Sequence, residues 1–152
     1  ASDSLKLCEQ LSAELLDDVR GVVQAMRDAD GLDIATSLQA LAAPFPATRL
    51  ALHIAPEVRI IDAALAETVL RVVQEALTNT ARHGAASTLQ VDITMQGDDL
   101  RLVIEDDGKL RGELREGNGL TGMRERIEER GGTLTLSRGV RGALHIEAVL
   151  PA

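Results

Sequence analysis

The sequence predicts an α+β fold, a two-layer α/β sandwich in which helices cover one face of a mixed, mostly antiparallel sheet. Residues 62–83 carry apolar side chains at the three- and four-residue spacing of a buried helix. Two further regions, 88–105 and 133–150, alternate apolar and polar residues as hairpin strands do. Helical patterns separate these regions, which places the helices together on one side of the sheet.

The composition suits one packed domain with a short N-terminal addition. The chain has 152 residues, of which 45% are hydrophobic, and Phe45 is its only aromatic residue. Leu, Val, Ile and Ala must therefore fill the core, and no aromatic platform is available for base stacking. The formal net charge of -8 argues against nucleic acid as a partner. The single cysteine, Cys8, cannot form an internal disulfide, which fits a reducing cytosol.

The first predicted element is an amphipathic helix that precedes the sandwich. From about residue 4 to residue 28, apolar residues recur at helical spacing between charged ones. Their narrow stripe is typical of a helix-pairing seam rather than of an enclosed core face. No apolar run in the chain approaches the roughly 20 residues that span a bilayer as a helix.

The next elements are a short helix and a strand. Asp33 is a candidate N-cap for a helix that runs to about Ala42. Pro44 and Pro46 end that helix, because proline lacks the amide hydrogen that a helix interior needs. Residues 49–54 then alternate as a strand does, and they are expected to form the first strand of the sheet.

The longest predicted helix begins after Asp62, a candidate N-cap, and ends at Gly84. Two strands follow, at residues 88–95 and 100–105, and the Gly97-Asp98-Asp99 segment predicts the turn of a hairpin. The expected core-facing residues of this helix are Leu65, Val69, Val72, Val73, Ala76 and Leu77.

The last predicted elements are a helix and a second hairpin. Residues 120–130 have a helical pattern, and Gly131 and Gly132 end it. Residues 133–137 and 143–150 alternate as strands around a glycine-containing turn.

A polar line runs along the longest helix, beside its apolar face. Arg71, Glu75, Asn79 and His83 follow one another at four-residue spacing, so they share one side of the helix. The side-chain oxygen of Asn79 is a hard ligand that suits Mg²⁺, and the carboxylate of Glu75 is one turn away, in position to orient or deprotonate an attacking group. The alternative is a solvated face with a Glu75–Asn79 hydrogen bond, and for His83 a capping role at the helix end.

The third predicted strand, at residues 100–105, leads into an acidic turn at 105–108 (Glu-Asp-Asp-Gly). Gly108 permits a sharp turn there. A carboxylate at this rim of the sheet can accept a hydrogen bond from the exocyclic amine of adenine, and such a bond to a charged group contributes about 1.5–3 kcal/mol. The alternative is an ordinary acidic turn.

A glycine-rich segment, residues 117–122 (Gly-Asn-Gly-Leu-Thr-Gly), opens the next helix. Its glycines permit close approach of the backbone, and free amides at the start of a helix attract anions. The segment is neither a Walker A loop nor a Rossmann fingerprint. With the polar helix and the acidic strand end, it completes the parts of a nucleotide site: a metal ligand, a carboxylate for an amino-bearing ring and amides for phosphate.

These segments resemble the conserved boxes of the GHKL superfamily, and most closely those of sensor histidine kinases. Residues 73–83 look like the N box, residues 105–108 like the G1 box and residues 117–126 like the G2 box. The Arg-His that ends the first box and the Gly-Met-Arg-Glu-Arg of the third are similar to kinases that pair with LuxR-type response regulators. The resemblance covers roughly residues 50–151, and it implies a Bergerat-type ATP-binding fold.

By this resemblance, the chain binds ATP and Mg²⁺ and delivers the γ-phosphoryl group of ATP to a histidine. The family pattern makes Glu75 the candidate base and Asn79 the metal ligand. Asp106 would read the adenine amine and Arg82 would contact phosphates. The expected nucleotide-binding residues are Asn79, Arg82, His83, Asp106, Gly108, Gly117, Gly119, Leu120 and Gly122.

The resemblance also implies domains and partners. Residues 1–30 look like the C-terminal part of a dimerisation and phosphotransfer helix, and residues 31–152 like the catalytic domain. The phosphoacceptor histidine is expected on another helix of the same protein, so this segment alone is not expected to phosphorylate itself. A LuxR-type response regulator, homodimerisation of the intact protein and a cytosolic location are implied as well. Two alternatives are a non-catalytic ATP-responsive interaction module and an anti-sigma-type serine kinase.

Overall fold

The structure, a computed structural model, describes residues 34–58, 60, 62–83, 87–108, 118–138 and 143–152. The helix expected at residues 4–28 and the capping positions Asp33 and Gly84 lie outside this part. Within it, the predicted order of helices and strands is confirmed. The elements are α1 (Ile34–Ala42), β1 (Arg49–Ile54), α2 (Ala63–His83), β2 (Thr88–Gln96), β3 (Asp99–Asp106), α3 (Asn118–Glu129), β4 (Thr133–Arg138) and β5 (Leu144–Pro151).

The strands form a five-stranded sheet in the order β1-β2-β3-β5-β4. β1 pairs parallel to β2, and α2 makes the crossover between them. The other pairs are antiparallel, so the predicted mixed, mostly antiparallel sheet is confirmed. The β2–β3 hairpin turns at Gly97, whose φ of 63° is readily adopted by glycine.

One face of the sheet is buried under the helices. Alternate residues of the central strands are buried, as a pleated strand with one covered face requires. Polar residues between them, including Gln90, Arg101 and Glu147, lie on the opposite face. The predicted layer of helices on one face is therefore confirmed. The buried residues of the central strands are Leu89, Val91, Ile93, Leu100, Leu102, Ile104, Ile146, Ala148 and Leu150.

Helix α2 occupies the middle of the helical layer, where it contacts α1, α3, β2 and β3. All of the residues predicted to face the core are buried, with Ala76 the most exposed of them at 3%. Asp62 caps the helix as predicted, because its Oδ1 accepts a hydrogen bond of 2.9 Å from the Ala64 amide. None of the helices described has the length and hydropathy to cross a bilayer.

Helix α3 ends in a Schellman motif, in which the Gly132 amide bonds to the Ile127 carbonyl and the Gly131 amide to the Glu128 carbonyl, both at 2.9 Å. Gly131 has a φ of 78°, in the left-handed region, so the predicted stop is confirmed. The start of α3 differs from the prediction by two residues. The helix begins at Asn118 rather than at residue 120, because the buried side chains of Leu120 and Met123 hold its glycine-rich first turn against the core.

Candidate nucleotide site

The polar line of α2 lies at the border of its buried face. Arg71, Glu75 and Asn79 are each half-buried, while their neighbours toward the sheet are fully buried. The Arg71 Nη2 atom pairs with Glu67 Oε1 at 2.6 Å, one helical turn earlier. The helix is therefore fixed by its core contacts, while this edge carries the amide and carboxylate groups. The backbones of Arg82 and His83 complete the last turn of α2, and their side chains lie outside the described part.

The pleat of β3 separates the acidic residues at its end. Asp106 follows the buried Ile104 at a two-residue interval and lies opposite Leu89 of β2, which is 2% exposed. The half-buried Asp106 therefore faces the helical layer that contains α2. Glu105 faces the other way, where its Oε2 atom lies 2.9 Å from Nδ1 of His145 on β5.

The turn after β3 is closed by a local hydrogen bond. The Gly108 amide donates to Oδ1 of Asp106 at 3.1 Å, and Gly108 is buried. This bond orients one oxygen of the carboxylate toward the turn. Asp106 and Gly108, both predicted as site residues, thus lie together at the end of β3 and on its helical side.

Asp107 forms hydrogen bonds to the start of β2 that the sequence did not predict. Its Oδ1 accepts from the amides of Ser87, at 2.7 Å, and Thr88, at 2.9 Å, and its Oδ2 accepts from the Ser87 hydroxyl at 2.7 Å. The Thr88 amide, followed by the Ser87 hydroxyl, lowers the pKa of Asp107 below its ordinary value. The only sequence signal was a serine at the start of a strand, which does not identify a partner on another strand.

The glycine-rich segment forms the first turns of α3. Leu120 is 8% exposed and belongs to the core, so it holds the start of the helix against the domain. Apart from its chain neighbours and the backbone of its own helix, Gly122 has no heavy atom of the described residues within 4 Å of the position that a Cβ would take. Gly119 is the second residue of α3, and Gly117 lies outside the described residues. The first amides of a helix have no partner within it and attract anions.

An ion pair joins the end of α3 to the start of α2. The Arg130 Nη2 atom, just after α3, lies 3.0 Å from Oδ2 of Asp62, just before α2. The two helices also contact each other. The C-terminal end of α3 therefore lies beside the N-terminal end of α2.

The predicted site residues of the described part fall into three groups in the helical layer and at the sheet end beside it. The polar edge of α2 supplies Glu75 and Asn79, the end of β3 supplies Asp106 and Gly108, and α3 supplies Gly119, Leu120 and Gly122. Within the described part, no group of three or more His, Cys, Asp or Glu side chains is arranged to hold a metal ion.

No family model matches the chain. Curated relatives do match it. The sensor histidine kinases LnrJ and YxjM of Bacillus subtilis are 35% and 36% identical to it, over 88% and 98% of this chain and 34% and 38% of the relatives. The signal transduction histidine-protein kinase/phosphatase UhpB of Salmonella typhimurium is 38% identical, over 87% of this chain and 28% of the relative. The chain thus spans about a third of the length of these relatives.

Solved structures show the same fold. The histidine kinase domain of the blue-light activated histidine kinase EL346 of Erythrobacter litoralis superposes with a TM-score of 0.72 and 19% identity, over 92% of this chain and 74% of that domain. The ATP binding domain of PrrB from Mycobacterium tuberculosis gives a TM-score of 0.61 and 23% identity, over 76% of this chain and 88% of that domain. Over the part that they share with it, the sequence relatives place this chain among the sensor histidine kinases, and the solved structures show that it has the fold of a histidine kinase ATP-binding domain.

Proposed function

We propose that this chain is the ATP-binding catalytic part of a two-component sensor histidine kinase, which transfers the γ-phosphoryl group of ATP to a histidine on another helix of the same protein. The observation that carries the proposal is the placement of Asp106. Its carboxylate lies on the helical side of the sheet, at the end of β3, in the layer that holds the polar edge of α2 and the start of α3. An adenine-reading acid, a metal ligand and helix amides for phosphate then share one site.

The donor set fits Mg-ATP. Mg²⁺ prefers a few protein oxygens together with phosphate oxygens and water, and the amide oxygen of Asn79 is a ligand of this kind on a well-fixed helix. When bound, the ion would neutralise charge on the phosphates. Arg82 and His83, in the last turn of α2, are proposed to contact phosphates.

The remaining residues hold the two ends of the nucleotide. Asp106 would accept a hydrogen bond from the adenine amine, with Gly108 shaping the turn beside it. Gly117, Gly119, Leu120 and Gly122 would bring backbone amides to the phosphates, and the open space at Gly122 suits close approach.

Glu75, one turn before Asn79, is the proposed base. It would orient the acceptor imidazole and take up its proton as the phosphoryl group arrives. Phosphoryl transfer depends mainly on positioning and on charge neutralisation, so a base contributes only part of the rate.

The proposal extends to the whole protein. Residues 1–30 would be part of a dimerisation and phosphotransfer helix, residues 31–152 the catalytic domain, and the intact protein a homodimer with this portion in the cytosol. The residues of the boxes, in particular the Arg-His of the first and the Gly-Met-Arg-Glu-Arg of the third, favour a LuxR-type response regulator as the recipient of the phosphoryl group.

The first test is calorimetric titration of the chain with ATP and GTP, each with and without Mg²⁺. We expect a preference for ATP that Mg²⁺ strengthens, and a loss of at least about tenfold in ATP affinity, or about 1.4 kcal/mol, in Asp106→Asn. The absence of ATP binding at millimolar concentration would overturn the proposal.

The second test concerns catalysis in the full-length kinase. Glu75→Ala should lower formation of phosphohistidine by about 10²–10⁴-fold while ATP affinity stays close to normal. An equal loss of both would reject Glu75 as the base. ATP binding without any phosphohistidine in the unsubstituted protein would instead favour an interaction module.

A further inference from the structure

A cluster of hydrogen bonds joins three strands beside the end of β3. The Ser87 amide and hydroxyl both donate to the carboxylate of Asp107, and the Thr88 amide donates to the same carboxylate. The Ser87 carbonyl accepts from the Arg49 amide at 2.7 Å, and the Asp107 amide donates to the Thr88 carbonyl at 3.2 Å. Asp107 therefore ties the end of β3 to the start of β2, and Ser87 extends the connection to the start of β1.

We propose that Asp107 is a positioning residue for nucleotide recognition: its carboxylate fixes Asp106 relative to the C-terminal end of α2. This inference rests on the proposed function, because it acts through the adenine-reading carboxylate. Asp106 precedes Asp107 directly, and Ser87 is the fourth residue after His83, the last residue of α2. One side chain thus holds the acidic turn and the chain segment that leaves the phosphate-binding helix.

The strand pairing explains why the hydrogen bonds of Asp107 with Ser87 and Thr88, called the clamp here, matter for the position of Asp106. The registered pairing of β3 with β5 extends to Glu105 and His145, whereas its pairing with β2 continues to Asp106 and Leu89. The β2 side therefore determines where the last residue of β3 lies. Asp107 adds hydrogen bonds to a charged acceptor on this same side, and such bonds are stronger than neutral ones.

The geometry predicts which substitutions preserve the clamp. In Asp107→Asn, Oδ1 still accepts from the Ser87 and Thr88 amides, and the side-chain amide donates to the Ser87 oxygen instead of accepting from it. In Asp107→Ala all of these bonds are lost. In Ser87→Ala only the hydroxyl bond of 2.7 Å is lost, and both amide bonds remain.

The test is calorimetric titration of each variant with Mg-ATP and Mg-GTP. We expect Asp107→Ala to weaken ATP binding about tenfold, equal to about 1.4 kcal/mol, and to reduce the preference for ATP over GTP. Ser87→Ala should weaken ATP binding about threefold. The ATP affinity of Asp107→Asn should stay within about threefold of that of the unsubstituted chain. A merely structural role predicts no change in base preference.

The matched control is Asp62→Ala. Asp62 also accepts a backbone hydrogen bond, of 2.9 Å from Ala64, but at the opposite end of α2 from Asn79. At 1.5 Å per residue this is about 25 Å away. We expect Asp62→Ala to reduce stability and to leave both the ATP affinity and the preference for ATP unchanged.

The outcomes separate this inference from the function on which it rests. Normal ATP affinity and base preference in folded Asp107→Ala would overturn the positioning role alone. If Asp107→Ala fails to fold, Ser87→Ala decides: unchanged affinity and preference in that variant would overturn the role. No ATP binding by the unsubstituted chain would overturn the proposed function and this inference with it.

Discussion

A side chain at Gly132, in the junction between α3 and β4, should destabilise the domain. A Cβ added there would lie 2.4 Å from the carbonyl oxygen of Val149, 2.9 Å from Leu150 Cδ2 and 3.0 Å from Ile127 Cγ2. The side chains of Leu150 and Ile127 can shift slightly, but the carbonyl belongs to the backbone of β5. Since ordinary carbon–oxygen contacts begin near 3.3 Å, the junction and β5 would have to separate by about 0.9 Å.

The magnitude follows from that displacement. Overpacking of a well-packed core typically costs about 1–3 kcal/mol, and a clash with strand backbone lies at the upper end. We therefore expect Gly132→Ala to lower the free energy of unfolding by about 3 kcal/mol. For a domain of this size, that loss lowers Tm by roughly 10 °C.

Two glycines of the same region serve as controls. Gly131 has a φ of 78°, and the nearest atom to an added Cβ is Pro151 Cγ at 3.8 Å, so Gly131→Ala should cost only the backbone strain of about 1–2 kcal/mol. Gly122 lies within α3, and no other part of the described structure lies within 4 Å of an added Cβ, so Gly122→Ala should stabilise the chain by about 0.5–1 kcal/mol.

Urea unfolding followed by far-ultraviolet circular dichroism measures all three variants under one condition. The expected order of stability is Gly122→Ala, the unsubstituted chain, Gly131→Ala and then Gly132→Ala. If Gly132→Ala is no less stable than Gly131→Ala, the contact with Val149 is not rigid and the reasoning fails.

Two further predictions concern ion pairs. Asp62→Ala should lower the free energy of unfolding by about 1 kcal/mol, because the N-cap of α2 is lost. A double-mutant cycle with Arg130→Ala should give a coupling energy of about 0.2–1 kcal/mol, because this ion pair is largely exposed. Zero coupling would show that the 3.0 Å contact does not form in solution. The hydrogen bond from Arg101 lowers the pKa of Glu147 in the folded chain. The ionised carboxylate therefore stabilises the fold at pH values above its unfolded pKa of about 4.3. This stabilisation is lost as the pH falls through the lowered pKa of the folded state. The stability difference between the unsubstituted chain and Glu147→Gln, measured by urea unfolding, should therefore shrink between about pH 5 and pH 3, and a constant difference would contradict the pair.

Local patterns predicted most of the fold. The long apolar period and Asp62 predicted the start and the buried face of α2, because both depend on neighbours within one or two helical turns. Gly97 and Gly131 predicted a hairpin turn and a helix stop for the same local reason. The parallel pairing of β1 with β2 was not predicted, because strand alternation specifies which face is buried and leaves the neighbouring strand open.

The position of Asp106 on the sheet was predictable from the sequence, whereas the hydrogen bonds of Asp107 were not. Two-residue alternation extends from Ile104 to Asp106, so the side of the sheet on which Asp106 lies follows from the sequence once the strand is assigned. The clamp of Asp107 on Ser87 joins residues 20 positions apart, and it depends on the register between β2 and β3. Local sequence patterns do not fix that register to the single residue, so this connection required the structure.

The strand order also has a consequence for synthesis on the ribosome. β5, the last described strand along the chain, lies between β3 and β4. The part that contains α2 and the acidic turn can therefore pair its strands early, with the edge of β3 exposed until β5 arrives. β4 leaves the ribosome before β5 but joins the sheet only through it, whereas α3 also contacts α2. We expect the end of β3 that carries Asp106 to be ordered first during translation, and β4 to be ordered only after β5 is inserted.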